Sequence, residues 1–283
     1  MRVLIFYFSG TFNTEKIALL FKREFNAGIR EIRMPFPKTE DIKDYDVIAF
    51  GYPIHAFNPP EPFFRFIKSL PKQNKKLCFL FKTSGEDLKL NFCSSRMTVN
   101  ALRKKGFDVI EEFHYVMPYN IIYRHKDGVA KLMYETAIKR VRDDADKIRN
   151  NKRRTLSFGL RGLYVPLFRI EWPFSRIHGR LFYKVDEDKC IHCMECVKNC
   201  PMENICLEDN KIKFRNQCCL CMRCSLYCKA NAIKIGFFDR RWKVNGSYEL
   251  DRLLGDENIK TECEDFGSKL LTKSYDNYFN DEK

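Results

Sequence analysis

The chain has 283 residues, with 51 Lys and Arg set against 37 Asp and Glu, for a formal net charge of +14. Hydrophobic residues make up 45% and charged residues 31%, which excludes wholesale disorder and supplies a core for two domains or one large one. No run approaches about 18 consecutive apolar residues, and the opening run at 3–8 is too short for a signal-peptide core. Neither a membrane span nor secretion is expected, and the expected location is the cytoplasm.

Residues 3–8, 46–52 and 76–81 read as buried strands because they are near-continuously apolar, and 29–33 and 107–116 are weaker strand candidates. Between them, 14–25, 62–70, 93–105 and 130–148 have helical period and composition. Strands alternating with helices imply a doubly wound parallel sheet, with its ligand site at the carboxyl ends of the strands.

The first strand runs into a loop containing Ser9, Gly10, Thr11, Asn13 and Thr14. Short hydroxyl residues ahead of a helix N-terminus suit a phosphate, since the orphan backbone N–H groups and the helix dipole favour an anion. Without a lysine the loop is not a nucleoside-triphosphate P-loop. It resembles the phosphate loop of flavodoxins, with Ser9, Thr11, Asn13 and Thr14 at the family's hydroxyl and amide positions. Phe12 stands where that family commonly has glycine, and a positive φ there would cost on the order of 1 kcal/mol. By the same resemblance, Tyr52, Pro53, Ile54, His55 and Ala56 form one wall of an FMN site and Thr83, Ser84 and Gly85 the other. Met117-Pro118-Tyr119-Asn120 also looks like that family.

A connector follows. From Arg149 to Lys184 there are nine basic residues and one acidic residue, Glu171, interleaved with aliphatic and aromatic side chains. The favoured expectation is that its apolar side packs on a domain and its arginines face water. Contact with an anionic membrane surface is the less favoured reading, because Gly159, Gly162, Pro166 and Pro173 interrupt any long amphipathic helix. Docking of an acidic redox partner is a third, and nucleic acid is not expected, since no reader motif accompanies the charge.

Ten of the thirteen cysteines fall between Cys190 and Cys228. Cys190, Cys193, Cys196 and Cys200 are spaced C-x2-C-x2-C-x3-C and precede Pro201; Cys218, Cys221, Cys224 and Cys228 repeat the spacing 28 positions later. Three thiolates within seven residues wrap one corner-set of an iron–sulfur cube, and the fourth points to the cluster of the other half. Cys190, Cys193, Cys196 and Cys228 are therefore expected to hold one [4Fe–4S] cluster, and Cys218, Cys221, Cys224 and Cys200 the other. Paired zinc sites are the rival, although zinc modules usually set their ligand pairs farther apart. Lys229 replaces the proline of the first half, and Cys206 and Cys219 are surplus to the ligand count. The motif resembles the bacterial two-cluster ferredoxins over about residues 184–240.

Joined, the two halves resemble the flavodoxin–ferredoxin fusion proteins of anaerobic bacteria and archaea. That resemblance implies a flavodoxin-like α/β domain at 1–150 with strand order 2-1-3-4-5. A connector at 151–183, a small α+β two-cluster ferredoxin-like domain at 184–240 and a polar extension at 241–283, ordered at most in part, would follow. The expected activity is electron transfer between FMN and two [4Fe–4S] clusters, with a redox protein or small acceptor as partner and no acid–base catalytic residue. A flavin-dependent reductase of a quinone or similar acceptor, and a flavin-free ferredoxin with a docking domain, are the alternatives.

Overall fold

The computed structural model describes residues 1–236, 239, 243–244, 246–263, 275 and 278–279. Strands β1 (Val3–Tyr7), β2 (Gly28–Glu31), β3 (Val47–Pro53), β4 (Lys76–Ser84) and β5 (Phe107–Val116) form one sheet in the order β2-β1-β3-β4-β5. Every neighbouring pair is parallel, so each connection must cross a face and bring a helix with it. The helices are α1 (Asn13–Phe25), α2 (Glu61–Ser69), α3 (Lys89–Cys93), α4 (Arg96–Lys104) and α5 (Asp127–Arg149).

Alternation along the strands divides the apolar side chains between two cores. Val3, Ile5, Val47, Ala49, Phe79 and Phe81 meet Ile17 and Phe21 of α1 and Ala137 and Val141 of α5 on one face. Leu4, Phe6, Ile48, Phe50 and Leu80 meet Phe63 and Phe66 of α2 and Val99 and Leu102 of α4 on the other. With both faces covered, the strands read as continuous apolar runs, which is why the sequence reveals them. The helix expected at 93–105 is α4, which starts three residues later, and the short α3 precedes it. Ser94 and Ser95, both buried, lie at the break, and the Ser94 hydroxyl donates to the Asn91 carbonyl at 2.8 Å. A serine hydroxyl offers the backbone an alternative to the helical ladder.

The second module is built on two small antiparallel ribbons. Strand β6 (Tyr183–Val185) pairs with β9 (Ile233–Ile235), and β7 (Ile205–Glu208) with β8 (Lys211–Phe214). Helix α6 (Glu171–Leu181) leads into it, and the one-turn helices α7 (Glu195–Lys198) and α8 (Arg223–Leu226) lie 28 positions apart. Helix α9 (Leu250–Gly255) returns to the first domain.

That return gives the described part of the extension, expected to be ordered at most in part, a defined place on the first domain. Tyr248, Leu250 and Leu253 join the core beside α1 and α5, and Asp251 pairs with Lys16. Tyr275 and Tyr278 bury against Val116, Val129 and Met133, with the Arg140 guanidinium 3.9 Å from the Tyr278 ring. A few aromatic anchors in a polar segment suffice, since each removes a large apolar area from water. The remainder of 241–283, and residues 237, 238 and 240 of the expected ferredoxin-like span, lie outside the described residues.

Candidate flavin and iron–sulfur sites

At the carboxyl edge of the sheet, the loops after β1, β3 and β4 enclose a cavity of about 370 Å³. Ser9, Gly10, Thr11, Asn13, Thr14, Pro53, Ile54, His55, Ala56, Thr83, Ser84 and Gly85 all line it. Tyr52 does not. It is the penultimate residue of β3, and alternation turns its ring inward onto Phe63, 4.6 Å between centroids, where it is fully buried. The expectation that Tyr52 forms part of the wall is therefore corrected.

The loops are tied to each other. Thr14 Oγ1 and Thr83 Oγ1 are 2.8 Å apart, Ile54 N–H donates to the Thr83 carbonyl at 2.8 Å, and Asn13 Nδ2 donates to the Pro118 carbonyl at 2.8 Å. Phe12, the N-cap of helix α1, gives no side-chain cap, and in the first turn the Glu15 N–H donates to Ser9 Oγ at 3.4 Å, an otherwise uncapped N-terminus that suits an anion. His55 is held neutral at ordinary pH: burial lowers its pKa to about 4, opposed by a hydrogen bond to the Cys219 backbone. Ser84 sits in a second chain of bonds, with Oγ 2.8 Å from His114 Nε2 and His114 Nδ1 3.2 Å from Asp87. A cavity of this size, this helix N-terminus and two flanking loops fit a flavin mononucleotide with its phosphate on α1.

Sequence reasoning missed the fourth wall. Leu220, Cys221 and Met222 of the second cysteine loop also line this cavity, so the two modules share it. Arg223, 4% exposed, fastens them. Its Nε donates to the Gly10 carbonyl at 2.8 Å, and Nη2 donates to the Ser9 carbonyl and to Glu31, each at 2.7 Å. Its Nη1 donates to the Asn199 carbonyl in the first cysteine half. The phosphate loop lacks a cation of its own sequence, yet a buried guanidinium lies directly behind it. The available signal was an asymmetry in the repeat, since Arg223 stands where the first half has Glu195.

Phe12 adopts φ 70°, the left-handed conformation anticipated from the glycine preference. Its ring lies 4.9 Å from the Tyr227 ring, edge to face, with the Arg223 guanidinium 4.7 Å from its centroid. These contacts offset the backbone strain, each being worth roughly 0.5–1.5 kcal/mol. Gly10 is required for a different reason. A Cβ there would come within 2.5 Å of the Cys221 carbonyl oxygen and 2.9 Å of its Cβ. Gly10→Ala is thus expected to push the cysteine loop off the phosphate loop and to cost about 1–3 kcal/mol. Anaerobic urea unfolding checks it; an unchanged midpoint would contradict the tight packing.

Cys190, Cys193, Cys196 and Cys228 line a cavity of about 230 Å³ that Cys224 also borders, and Cys200, Cys218, Cys219, Cys221 and Cys224 line a smaller one of about 20 Å³. Cys228 thus lies by the first loop and Cys200 by the second, with Cys224 between the two spaces. The duplication extends to the backbone: His192 and Leu220, Met194 and Met222, and Glu203 and Asn231 all have φ between 47° and 63°. These paired left-handed residues curl each loop about its thiols. Backbone donors are repeated too, Asn204 N–H to Cys200 Sγ at 3.3 Å and Ala232 N–H to Cys228 Sγ at 3.2 Å. Of the surplus thiols, Cys219 is buried and donates to Cys221, whose pKa falls to about 7 under that bond and the Arg223 charge. Cys206 bonds Glu208 away from both cavities. Eight thiols in two tetrads with inward backbone donors fit two cubane clusters.

The family model of a 4Fe-4S binding domain matches residues 183–205. The uncharacterized protein MJ0298 of Methanocaldococcus jannaschii is 35% identical over 114 residues, covering 40% of this chain and 73% of that protein. The chain belongs to the MJ0298 family. An archaeal-type glutamate synthase [NADPH] of Dehalococcoides mccartyi is 32% identical over 89 residues, 30% of this chain and 17% of that enzyme. Among solved structures, flavodoxin 1 of Bacillus cereus is 16% identical, covering 53% of this chain and 98% of that one, with a TM-score of 0.38. A Fusobacterium nucleatum flavodoxin bound to flavin mononucleotide is 14% identical, covering 54% and 99%, with a TM-score of 0.39. The fold assignment stands on the sheet order itself. This member of the family joins a flavodoxin-like domain to a 4Fe–4S binding domain, an organisation for electron transfer. No helix among the described residues is long and apolar enough to cross a membrane.

Proposed function

We propose that the chain is an iron–sulfur flavoprotein that moves electrons between FMN, held at the carboxyl edge of the sheet, and two [4Fe–4S] clusters held by the crossed cysteine tetrads. The observation that carries this reading is the shared cavity: Cys221, a thiol of the second tetrad, and the phosphate-loop residues Ser9, Gly10, Thr11, Asn13 and Thr14 line one space. When bound, the flavin supplies two-electron exchange divisible into single steps, and the clusters supply one-electron exchange.

The chain's own residues bind and orient. The first turn of α1 and the Ser9 and Thr11 loop receive the phosphate, with Arg223 behind them as a fixed positive charge. Pro53 to Ala56 and Thr83 to Gly85 flank the ring, and the neutral His55 adds no charge beside it. The cysteine thiolates would ligate, and the Asn204 and Ala232 amides donate to Cys200 Sγ and Cys228 Sγ, which would tune the potential of a bound cluster. A redox partner, protein or small molecule, supplies or accepts the electrons.

Anaerobic purification with iron, acid-labile sulfide and extracted flavin measured per chain tests this directly. About eight irons, eight sulfides and one FMN are expected. Iron without flavin, even after FMN is added, would leave a ferredoxin whose flavodoxin-like domain serves for docking. Zinc in place of iron would overturn the reading.

A further inference from the structure

Helix α6 is amphipathic in the reverse sense for a helix in water. Its inward face is small and polar: Ser175, His178 and Gly179 are buried, His178 Nε2 is 3.0 Å from the Ile235 carbonyl, and Gly179 packs on Cys218. Its outward face, at the positions i, i+4, i+7 and i+11, is Ile170, Phe174, Ile177 and Leu181, which are 42–75% exposed. The two 3₁₀ turns before it, Leu160–Leu163 and Val165–Ile170, continue the strip with Leu160 and Leu167, 79% and 71% exposed. The expectation that the connector packs its apolar side on a domain holds for Leu156, Phe158 and Val165, and in part for Phe168 on Phe57 and Trp172 on Phe64. Trp172 donates to the Pro59 carbonyl and Arg176 pairs with Glu61, so the strip is fixed in place on the protein.

Apolar side chains this exposed and this contiguous mark a surface that something covers. The charges around it select what. Arg169, Arg180 and Lys184 are exposed along the strip and Lys152 at its start, where Arg153 and Arg154 pair with Asp108 and Glu111; the single acidic residue from Arg149 to Lys184, Glu171, is half-buried and bonded to Ser175. Acidic residues resume only at Asp186, past the strip. Exposed aliphatic and aromatic side chains rimmed by cations, in short elements that cannot span, match the boundary between anionic headgroups and acyl chains.

We propose that residues 160–182 form a docking face for an anionic lipid bilayer, laying α6 in the plane of the membrane surface. Because Gly179 packs on Cys218, docking would place the second cysteine tetrad directly behind the membrane face.

Flotation of the purified holoprotein with vesicles tests this, using phosphatidylglycerol mixed with phosphatidylcholine against phosphatidylcholine alone. Binding is expected only where phosphatidylglycerol is present. The pair Ile177→Ser and Leu181→Ser, which removes apolar area without changing charge, should weaken it about a hundredfold. A second pair, Leu167→Ser with Ile170→Ser, should do the same, and Leu207→Ser, an exposed apolar residue on β7, should bind as wild type. No binding to phosphatidylglycerol vesicles at low salt would overturn the proposal. Equal binding by either serine pair would overturn it as well, reducing the interaction to net charge. A dimer in sedimentation velocity that the serine pairs dissociate would assign the face to a second copy of the chain instead.

Discussion

Arg223→Met is expected to lower the stability of the holoprotein by about 3–5 kcal/mol and to weaken FMN binding with it. The side chain is 5% exposed and makes four donor contacts, two to phosphate-loop carbonyls, one to the Glu31 carboxylate and one to the Asn199 carbonyl. Methionine fills part of the volume but leaves three carbonyls and a carboxylate without their donor. Unsatisfied buried acceptors carry the larger share of such losses. Burial also raises the nearby Glu15 carboxyl pKa, and the Glu31 charge raises it further while Arg223 opposes both, so the variant leaves two acidic groups side by side. Arg223→Lys should recover less than half of the loss, because an ammonium cannot reach the same set of acceptors. Anaerobic urea titrations and flavin fluorescence titrations measure the two effects. A loss below about 1 kcal/mol would mean that the guanidinium is only a surface-like contact.

Pairs of cysteine replacements should reveal which thiols share a cluster. Cys193→Ala and Cys228→Ala are each expected to remove about four irons, and the double variant should lose no more than either alone. Cys193→Ala combined with Cys200→Ala should instead lose all of the iron, although these two residues stand in the same half of the sequence. This contrast follows from the crossed grouping of Cys228 with the first loop and Cys200 with the second. The burial-raised thiol of Cys196 feels Cys193, Cys228 and Cys190, and that of Cys218 feels Cys221 and Cys200, whereas that of Cys224 feels Cys196 of the first loop as well as Cys221, Cys218 and Cys200. If the Cys193 and Cys228 effects add, the tetrads do not cross.

The sheet and the 4Fe–4S binding domain were legible in the sequence because each depends on local pattern. A strand covered on both faces is an apolar run, and a cubane corner-set has a fixed spacing. The flavin loops were legible only as far as their neighbours in the chain. Tyr52 was misplaced because β3 runs one residue beyond it, to Pro53, so strand alternation rather than loop geometry decides where its ring goes. Arg223 could not be recognised as a clamp because its acceptors, Ser9 and Gly10, lie more than 200 positions away. The folded-back tail was hidden for a similar reason, with a few aromatic residues carrying its contacts. The connector was misread because composition reports how much apolar surface exists and not which side of a helix the protein keeps.

The duplicated halves have equal ligand sets and unequal surroundings. In the first, Cys193 and His192 are exposed and no residue of α7 is buried; in the second, Met222, Arg223, Ser225 and Leu226 are buried between the modules. The repeat is therefore polar, with one half packed against the flavodoxin-like domain and one open. With a cluster bound in each half, the proposed relay would be vectorial, the first half offering the contact to an outside protein and the second passing electrons inward.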